Sequence, residues 1–575
     1  MNTITNTKGS TFEKETLGDI EIQYKNSWIL LPIVSAILVI GTLPPLNFWF
    51  LGFLALAPLY IFVSITVRTS WKKVAWGGFI FGVLFSAFLM TLTILQFHWI
   101  EGAHLFSTLV KFSFIPLLIV MGFFASVSIL VSRFLIITIA RSSVKILVPE
   151  HMFSSKKFVK ILSGLIELFT ILSATVVWTL SEWVIRKLMF GIEYSIIGYP
   201  AHNTFFISLA SVGGVFLTVF AVTLINMSIG SLLYQSYKYM TTRKRSVGQA
   251  NPNNESFVNS YSLTPARCLP SIFFILISIS LGLLANRYSN NLVTAESAKN
   301  VNLKVALIQD QNRKDNTFGG EVQGVFRFKT LENLMHKANE QAPDMIIYPF
   351  APWNGVIYDK EKDKQDIPLY NKDVFATSFQ TFGAWQKIHT RNDTVFVTWA
   401  TTYRDKKFYN EITFWKNGEL IGYHQKEHLF PFLDYTPKFA QSYGLYTTAV
   451  DGTPGTTTLS EKIHNIDMGA LVCSEVTHQI FKSTSKSSDL VLSLGSEAFF
   501  SNGIAGDLNV ASAAYRAAES GKSVIRANRF GPSAFIDGTG KKTSYVPFGT
   551  TGFYIHNVSV PLNNRDPFYA RLFLK

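Results

Sequence analysis

Cysteine is almost missing from this chain: Cys268 and Cys473 are its only two in 575 residues. So few exclude a disulfide framework and a cluster of thiolate metal ligands. Charge is scarce as well, at 16% of residues, and the mean hydropathy of +0.23 is too high for an enzyme wholly surrounded by water. From Met1 to Ser27 the chain is polar and mixed in charge, with no short apolar core followed by small residues, so no removable signal peptide is expected. Glycine-rich phosphate loops are also lacking, since Gly452-Thr453-Pro454-Gly455 reads as a turn; no nucleotide, cofactor or metal is expected. We find no internal repeat.

What the chain does have is apolar sequence, crowded into its first half. Seven blocks approach or exceed the roughly 20 residues that cross a bilayer: Trp28 to Leu43, Phe48 to Ile65, Val74 to Leu95, Leu109 to Leu130, Phe158 to Val184, Phe205 to Leu232, and Pro270 to Ala285. One such block could be a buried core helix, but seven in series predict a polytopic α-helical membrane domain. The net charge of +14 is then explained by where it sits. Arg68, Lys72 and Lys73 lie in one link, Arg141, Lys145, Lys156, Lys157 and Lys160 in another, and Lys238, Arg243, Lys244, Arg245 and Arg267 in a third. The alternate links Pro44 to Asn47 and Glu101 to His104 carry no Lys or Arg, and only Arg186 and Lys187 interrupt the third. By the positive-inside rule the N-terminus and the basic links are cytoplasmic, and seven crossings leave everything after Ala285 outside. The basic balance is topology plus attraction to anionic headgroups, and no nucleic-acid partner is expected. His98-Trp99 and Glu182-Trp183 read as residues at the membrane interface.

From Leu303 the pattern changes to short β-branched runs alternating with amphipathic stretches. Val305–Ile308, Met345–Tyr348, Thr394–Val397, Glu411–Phe414, Met468–Val472, Leu490–Ser493 and Ser523–Arg526 read as strands, with helical spacing over Thr330–Gln341 and Val510–Ser520. This predicts a layered α/β domain with helices covering a buried sheet. The expected organisation is a cytoplasmic segment 1–27, a membrane domain 28–286, a linker 287–302, an extracytoplasmic domain 303–562 and a tail 563–575. Ser246 to Pro265, rich in Asn and Ser, reads as a flexible loop.

Strand ends in such domains expose side chains on a rigid frame. Cys473 directly follows one strand, and Lys426, in Tyr423-His424-Gln425-Lys426-Glu427-His428-Leu429-Phe430-Pro431-Phe432, is a cation that could activate it. Taken alone, a cysteine after a strand also fits packing, and a loop lysine also fits solvation. Arg516 and Glu519 share a helix face and read as an ion pair.

The run Lys426 to Phe432, the Cys473-Ser474-Glu475 triplet and the opening Leu303-Lys304-Val305-Ala306-Leu307-Ile308-Gln309 resemble the carbon-nitrogen hydrolase (nitrilase) domain of the apolipoprotein N-acyltransferase family. Pro44-Pro45 through Leu51–Leu59, Ser181-Glu182-Trp183-Val184, Gly198-Tyr199 and Arg516-Ala517-Ala518-Glu519 are similar to that family's pattern too, so the likeness runs from Trp28 to Tyr569. It implies a nitrilase-like αββα sandwich outside a bacterial cytoplasmic (inner) membrane. It also implies transfer of a fatty acyl chain from a phospholipid to the N-terminal amine of a diacylated lipoprotein, through a thioester. Its implied catalytic set is Cys473 as nucleophile, Lys426 for the oxyanion, Asp434 as the second carboxylate, and Glu475.

The same resemblance exposes departures. The family's general-base Glu follows a Trp-Pro, and here the segment is Tyr348-Pro349-Phe350-Ala351-Pro352-Trp353, with Phe350 in the base's place. Asp434, after Leu433, stands for a Glu after Gly; Ser474 stands for an aromatic; and Ser496-Glu497-Ala498-Phe499-Phe500 stands for Asn-Asp-Ala-Trp-Phe. Relatives enter a final membrane helix after the point matching Asp566–Arg571, whereas this chain reads on only to Lys575. The alternative expectation is therefore a catalytically impaired protein of the same fold that binds lipid or lipoprotein.

Overall fold

The computed structural model describes residues 27–66, 70–93, 114–147, 156–188, 197–248, 255–294, 300–310, 321–350, 355–359, 367, 375–444, 451–456, 458–459, 462–478, 488–497, 502–562 and 566–574. The N-terminal stretch, Arg68, His98, Trp99, and positions 351–354 and 498–501 lie outside them.

The apolar blocks form helices α1 (Leu30–Thr42), α2 (Ala57–Thr66), α3 (Trp71–Thr93), α4 (Phe114–Leu147), α5 (Lys156–Leu188), α6 (Ala210–Gly248) and α7 (Glu255–Thr294). Among the described residues six segments are long and apolar enough to cross a membrane, and Leu30–Thr42 is a shorter seventh. Hydropathy locates these segments but underestimates several helices. Helix α7 begins at Glu255, within the stretch read as a flexible loop, and continues to Thr294, through the first half of the stretch read as a linker. Extending a nucleated helix adds one hydrogen bond per residue without a second nucleation cost, so polar flanks follow the apolar segment into helix. The second block is broken instead: a 3-10 turn at Trp49–Phe53 precedes α2, which restarts with Pro58 in its first turn, where a missing N–H costs least.

The second half is a sandwich of two sheets. The strands of the first are β1 (Asn300–Gln309), β2 (Met345–Tyr348), β3 (Gly355–Tyr358), β4 (Phe375–Ser378), β5 (Val395–Arg404), β6 (Lys407–Lys416), β7 (Glu419–Gln425), β8 (Thr458–Leu459) and β14 (Gly552–Pro561). Those of the second are β9 (Met468–Val472), β10 (Leu490–Ser496), β11 (Ser523–Arg529), β12 (Ser533–Ile536) and β13 (Lys542–Val546). The first sheet has the order β14-β1-β2-β5-β6-β7-β8, with β3 attached at β5 and β4 at β3, and the second runs β13-β12-β11-β10-β9. Their inner faces share one core that includes Leu303, Val305, Leu307, Ile347, Val397, Met468, Leu492 and Ile525. Helices α8 (Glu321–Glu340) and α9 (Phe379–His389) cover the first sheet, and α10 (Ile504–Ser520) covers the second. This is the αββα arrangement expected.

The second sheet is seated on the membrane helices through α10. Val215 and Val219 of α6 share a core with Val510, Ala514 and Ala517 of α10. The α6 helix breaks at Gly213-Gly214, and the freed Val215 N–H donates to Glu519 Oε1 at 2.9 Å. Tyr515 Oη donates to the Gly198 carbonyl at 2.6 Å. Gly214 has φ +69°, and a Cβ there would lie 2.7 Å from the ring of Tyr569, which leads the short helix α11 (Phe568–Phe573) onto the break. Arg516 and Glu519 form the expected ion pair, 3.2 Å apart and fully buried. Glu182, read as an interface residue, is buried and accepts from Trp178 Nε1 at 2.9 Å, while Trp183 is exposed.

Candidate active site

Parallel pairing puts the carboxyl ends of β9, β10 and β11 at one edge of their sheet, where side chains leave the ladder. Cys473 is the first residue beyond β9 and has φ +54°. That left-handed turn, sparsely populated for a residue with a Cβ, reverses the chain from the strand into the 3-10 turn Cys473–Thr477. Both cysteines are free thiols, Cys268 lying within α7.

Lys426 directly follows β7 and is 1% exposed. Its Nζ donates to Asp434 Oδ2 at 2.5 Å, and the same oxygen accepts from Phe430 N at 2.6 Å. The other oxygen of Asp434 accepts from Asn410 Nδ2 at 2.8 Å. Burial pulls the Lys426 pKa down, but Asp434, Cys473 and Glu475 together outweigh it and hold the ammonium above the ordinary lysine value. Lys426 is therefore a fixed positive charge and not a proton acceptor. Burial pushes the Cys473 thiol up; Lys426 opposes this, Asp434 and Glu497 add to it, and Arg526 opposes it. The resting group is a neutral thiol that must lose a proton to act as a nucleophile.

Glu475 is fully buried and joins the two loops. Its Oε1 accepts from the backbone of Glu427 at 2.7 Å and His428 at 3.0 Å, and its Oε2 accepts from Val472 at 2.8 Å. One carboxylate thus fixes the lysine loop against the cysteine turn. Burial pushes its pKa up to about 7 against the pull of Lys426 and these N–H groups. A carboxyl raised in the folded state contributes stability that is full below its unfolded value of 4.5 and is lost as pH rises through 7. Relative to Glu475→Gln, the parent should therefore lose on the order of 3 kcal/mol between those pH values. Thermal unfolding in detergent at stepped pH measures the difference, and parallel curves would remove the basis for it.

Two histidines flank this cluster. The rings of His428 and His478 stack 5.4 Å apart, and the His478 carbonyl accepts from Arg516 Nη1. Burial, then His428, Arg186, Lys426 and Arg516, press His478 down to about 3, so it stays neutral.

Phe350, two residues beyond β2, packs against the shared core on which Cys473 also packs. Its ring meets Trp399 edge-on at 4.8 Å, with the Arg529 guanidinium 5.6 Å from its centroid. Glu497, just past β10, is 5% exposed; its Oε1 accepts from Asn509 at 2.5 Å, Arg526 at 3.2 Å and Asn528 at 3.3 Å. The Glu497 cluster was legible only as a departure from a family segment; the signal missed was an acid directly after a strand parallel to the one carrying the cysteine. Among the described residues no group of three or more His, Cys, Asp or Glu could hold a metal.

Residues 35–228 match the apolipoprotein N-acyltransferase N-terminal domain, and residues 326–562 match the carbon-nitrogen hydrolase family. The apolipoprotein N-acyltransferase of Pasteurella multocida is 25% identical over 540 residues, 90% of this chain and 86% of the relative. The chain belongs to the apolipoprotein N-acyltransferase family. A second member, from Aquifex aeolicus, is 26% identical over 257 residues; that match spans 44% of this chain and about half, 54%, of the relative. Among solved structures, a CN-hydrolase superfamily protein from Xanthomonas campestris aligns over 45% of this chain and 91% of its own, at 17% identity and a TM-score of 0.32. A nitrilase superfamily member from Saccharomyces cerevisiae aligns over 45% and 90%, at 16% identity and a TM-score of 0.31. As an apolipoprotein N-acyltransferase family member, the chain combines apolar membrane helices with a carbon-nitrogen hydrolase domain in one molecule.

Proposed function

We propose that this chain transfers a fatty acyl chain from a phospholipid to the N-terminal amine of diacylglyceryl-cysteine lipoproteins, with Cys473 carrying the chain as a thioester. The observation that carries the reading is the buried Lys426–Asp434 pair, tied by Glu475 to the turn that presents Cys473, in a domain packed on membrane helices. The sandwich faces the periplasmic side by this reading, so that both lipids reach the thiol from the outer leaflet.

The deprotonated sulfur attacks the ester carbonyl, and Lys426 faces the resulting oxyanion, a role whose loss costs about 10² to 10³ in rate. The ester C–O bond breaks, a lysophospholipid leaves and the thioester remains. The acceptor amine then attacks, the C–S bond breaks and the amide forms. Splitting the transfer spares the site from holding two bulky lipids at once. Glu475 and Asp434 act as positioning groups, because their oxygens are engaged by backbone N–H groups, Asn410 and Lys426. Retention of Cys473, Lys426, Asp434 and Glu475 in one cluster supports turnover over binding alone.

Intact-mass analysis of the protein incubated with phospholipid vesicles tests the reading. An acyl adduct is expected on Cys473, absent from Cys473→Ala, and cleared by a diacylated lipopeptide. Clearance in water alone would make the protein a hydrolase, and no adduct at all would make it a binding protein.

A further inference from the structure

The thiol rests neutral, and the position that would take its proton holds Phe350, which cannot accept one. Asp434 and Glu475 are occupied: each has both oxygens engaged, and Asp434 is bound to a lysine that keeps its own proton. Among the described residues, the other carboxylate that acts on the thiol is Glu497.

We propose that Glu497 is the proton acceptor for Cys473, in the role that Phe350 leaves empty. This rests on the acyl-transfer reading above and adds a residue to it. Val472 pairs with Leu494 across parallel β9 and β10, so Cys473 lies level with Gly495, and Glu497 leaves the same end of the neighbouring strand two residues further on. The structure clears space for that carboxylate on two sides. A Cβ on Gly495 would fall 2.4 Å from Arg526 Nη2, blocking the guanidinium that reaches Glu497. A Cβ on Gly531 would fall 2.5 Å from Glu497 Cγ and 2.2 Å from Asn528 Nδ2. Three donors, from Asn509, Arg526 and Asn528, converge on Oε1 alone. Oε2 has no hydrogen-bond partner among the described residues, which leaves one lone-pair face of a fixed carboxylate for a proton. Coulombic coupling of Glu497 and Arg526 to the thiol agrees with this placement.

In the first half-reaction Oε2 takes the Cys473 proton as the sulfur–carbonyl bond forms, and returns it to the alkoxide as the ester C–O bond breaks. In the second it takes a proton from the attacking amine nitrogen and returns it to the departing sulfur. No further reactant is required, and the carboxylate ends each half in its starting state.

The experiment follows two rates on the full chain in detergent across pH 5 to 9, each read at Cys473 by peptide mass spectrometry: alkylation by iodoacetamide, and adduct formation from phospholipid vesicles. Glu497→Gln should slow adduct formation about a hundredfold, slow alkylation about tenfold, and abolish the acid limb of the alkylation profile, leaving only the thiol's own ionisation. Parent-like rates and an unchanged profile would overturn the proposal. A parent that forms no adduct yet loses its acid limb in Glu497→Gln sinks the transfer reading and keeps Glu497 as the acceptor. An adduct formed equally fast by both proteins does the reverse. If Glu497→Gln does not fold, Glu497→Asp decides: an acid limb retained with adduct formation slowed about tenfold supports the proposal, and a parent-like rate overturns it.

Discussion

Lys426→Met should stop thioester formation and weaken the fold in the same protein. The ammonium is 1% exposed and 2.5 Å from Asp434 Oδ2, so the substitution removes the charge that the acyl-transfer proposal sets against the oxyanion and strands a buried carboxylate. The first loss amounts to about 10² to 10³ in rate; breaking a buried pair from one side costs about 3 to 5 kcal/mol. The two effects separate in Lys426→Met combined with Asp434→Asn, where the stranded charge is gone: much of the stability returns and the activity does not. Lys426→Arg should also fail, because a planar fork does not fit a single short contact made by a compact ammonium. Adduct formation on Cys473 reads the chemistry, and thermal unfolding reads the pair. A double variant as active as the parent would mean that Lys426 serves only to neutralise Asp434.

The layers of this molecule were legible because burial and hydropathy write directly into sequence. Met468–Val472 and Met345–Tyr348 form strands over the residues read as strands, since a strand enclosed on both faces is a continuous apolar run. Helix lengths were less legible: α7 continues through polar residues at both ends because helix propagation does not need an apolar face. Cys473 and Lys426 could be picked out by residue type and by resemblance, and the structure brings them to one cluster through Glu475. What that glutamate does was not legible, because it works by accepting three backbone N–H groups, two of them from residues 47 and 48 positions away in the chain, and backbone donors leave no mark on composition. Glu497 is the same kind of case. Its importance comes from a strand register and from glycines at 495 and 531, which matter only once β9, β10 and β11 lie side by side.

Phe350→Glu is expected to have opposite outcomes in two backgrounds. In the parent it exchanges a ring packed edge-on against Trp399 and under Arg529 for a carboxylate in the shared core. Large-to-small changes at such aromatic sites cost about 3 to 5 kcal/mol; the Arg529 guanidinium, 5.6 Å from the ring, offsets part of this by giving the new charge a partner. Net destabilisation of about 2 to 4 kcal/mol should appear as a lowered melting temperature. Adduct formation should change by no more than a few-fold, because a second acceptor adds little where one already operates. In Glu497→Gln the same substitution supplies a carboxylate to take the thiol proton where Glu497 no longer can, and general-base catalysis contributes about 10² to 10⁴. Adduct formation should then rise about a hundredfold over Glu497→Gln alone. A hundredfold rise in the parent background instead would mean that the thiol has no working proton acceptor until Phe350 is replaced, and that Arg526, Asn509 and Asn528 hold Glu497 for structure alone.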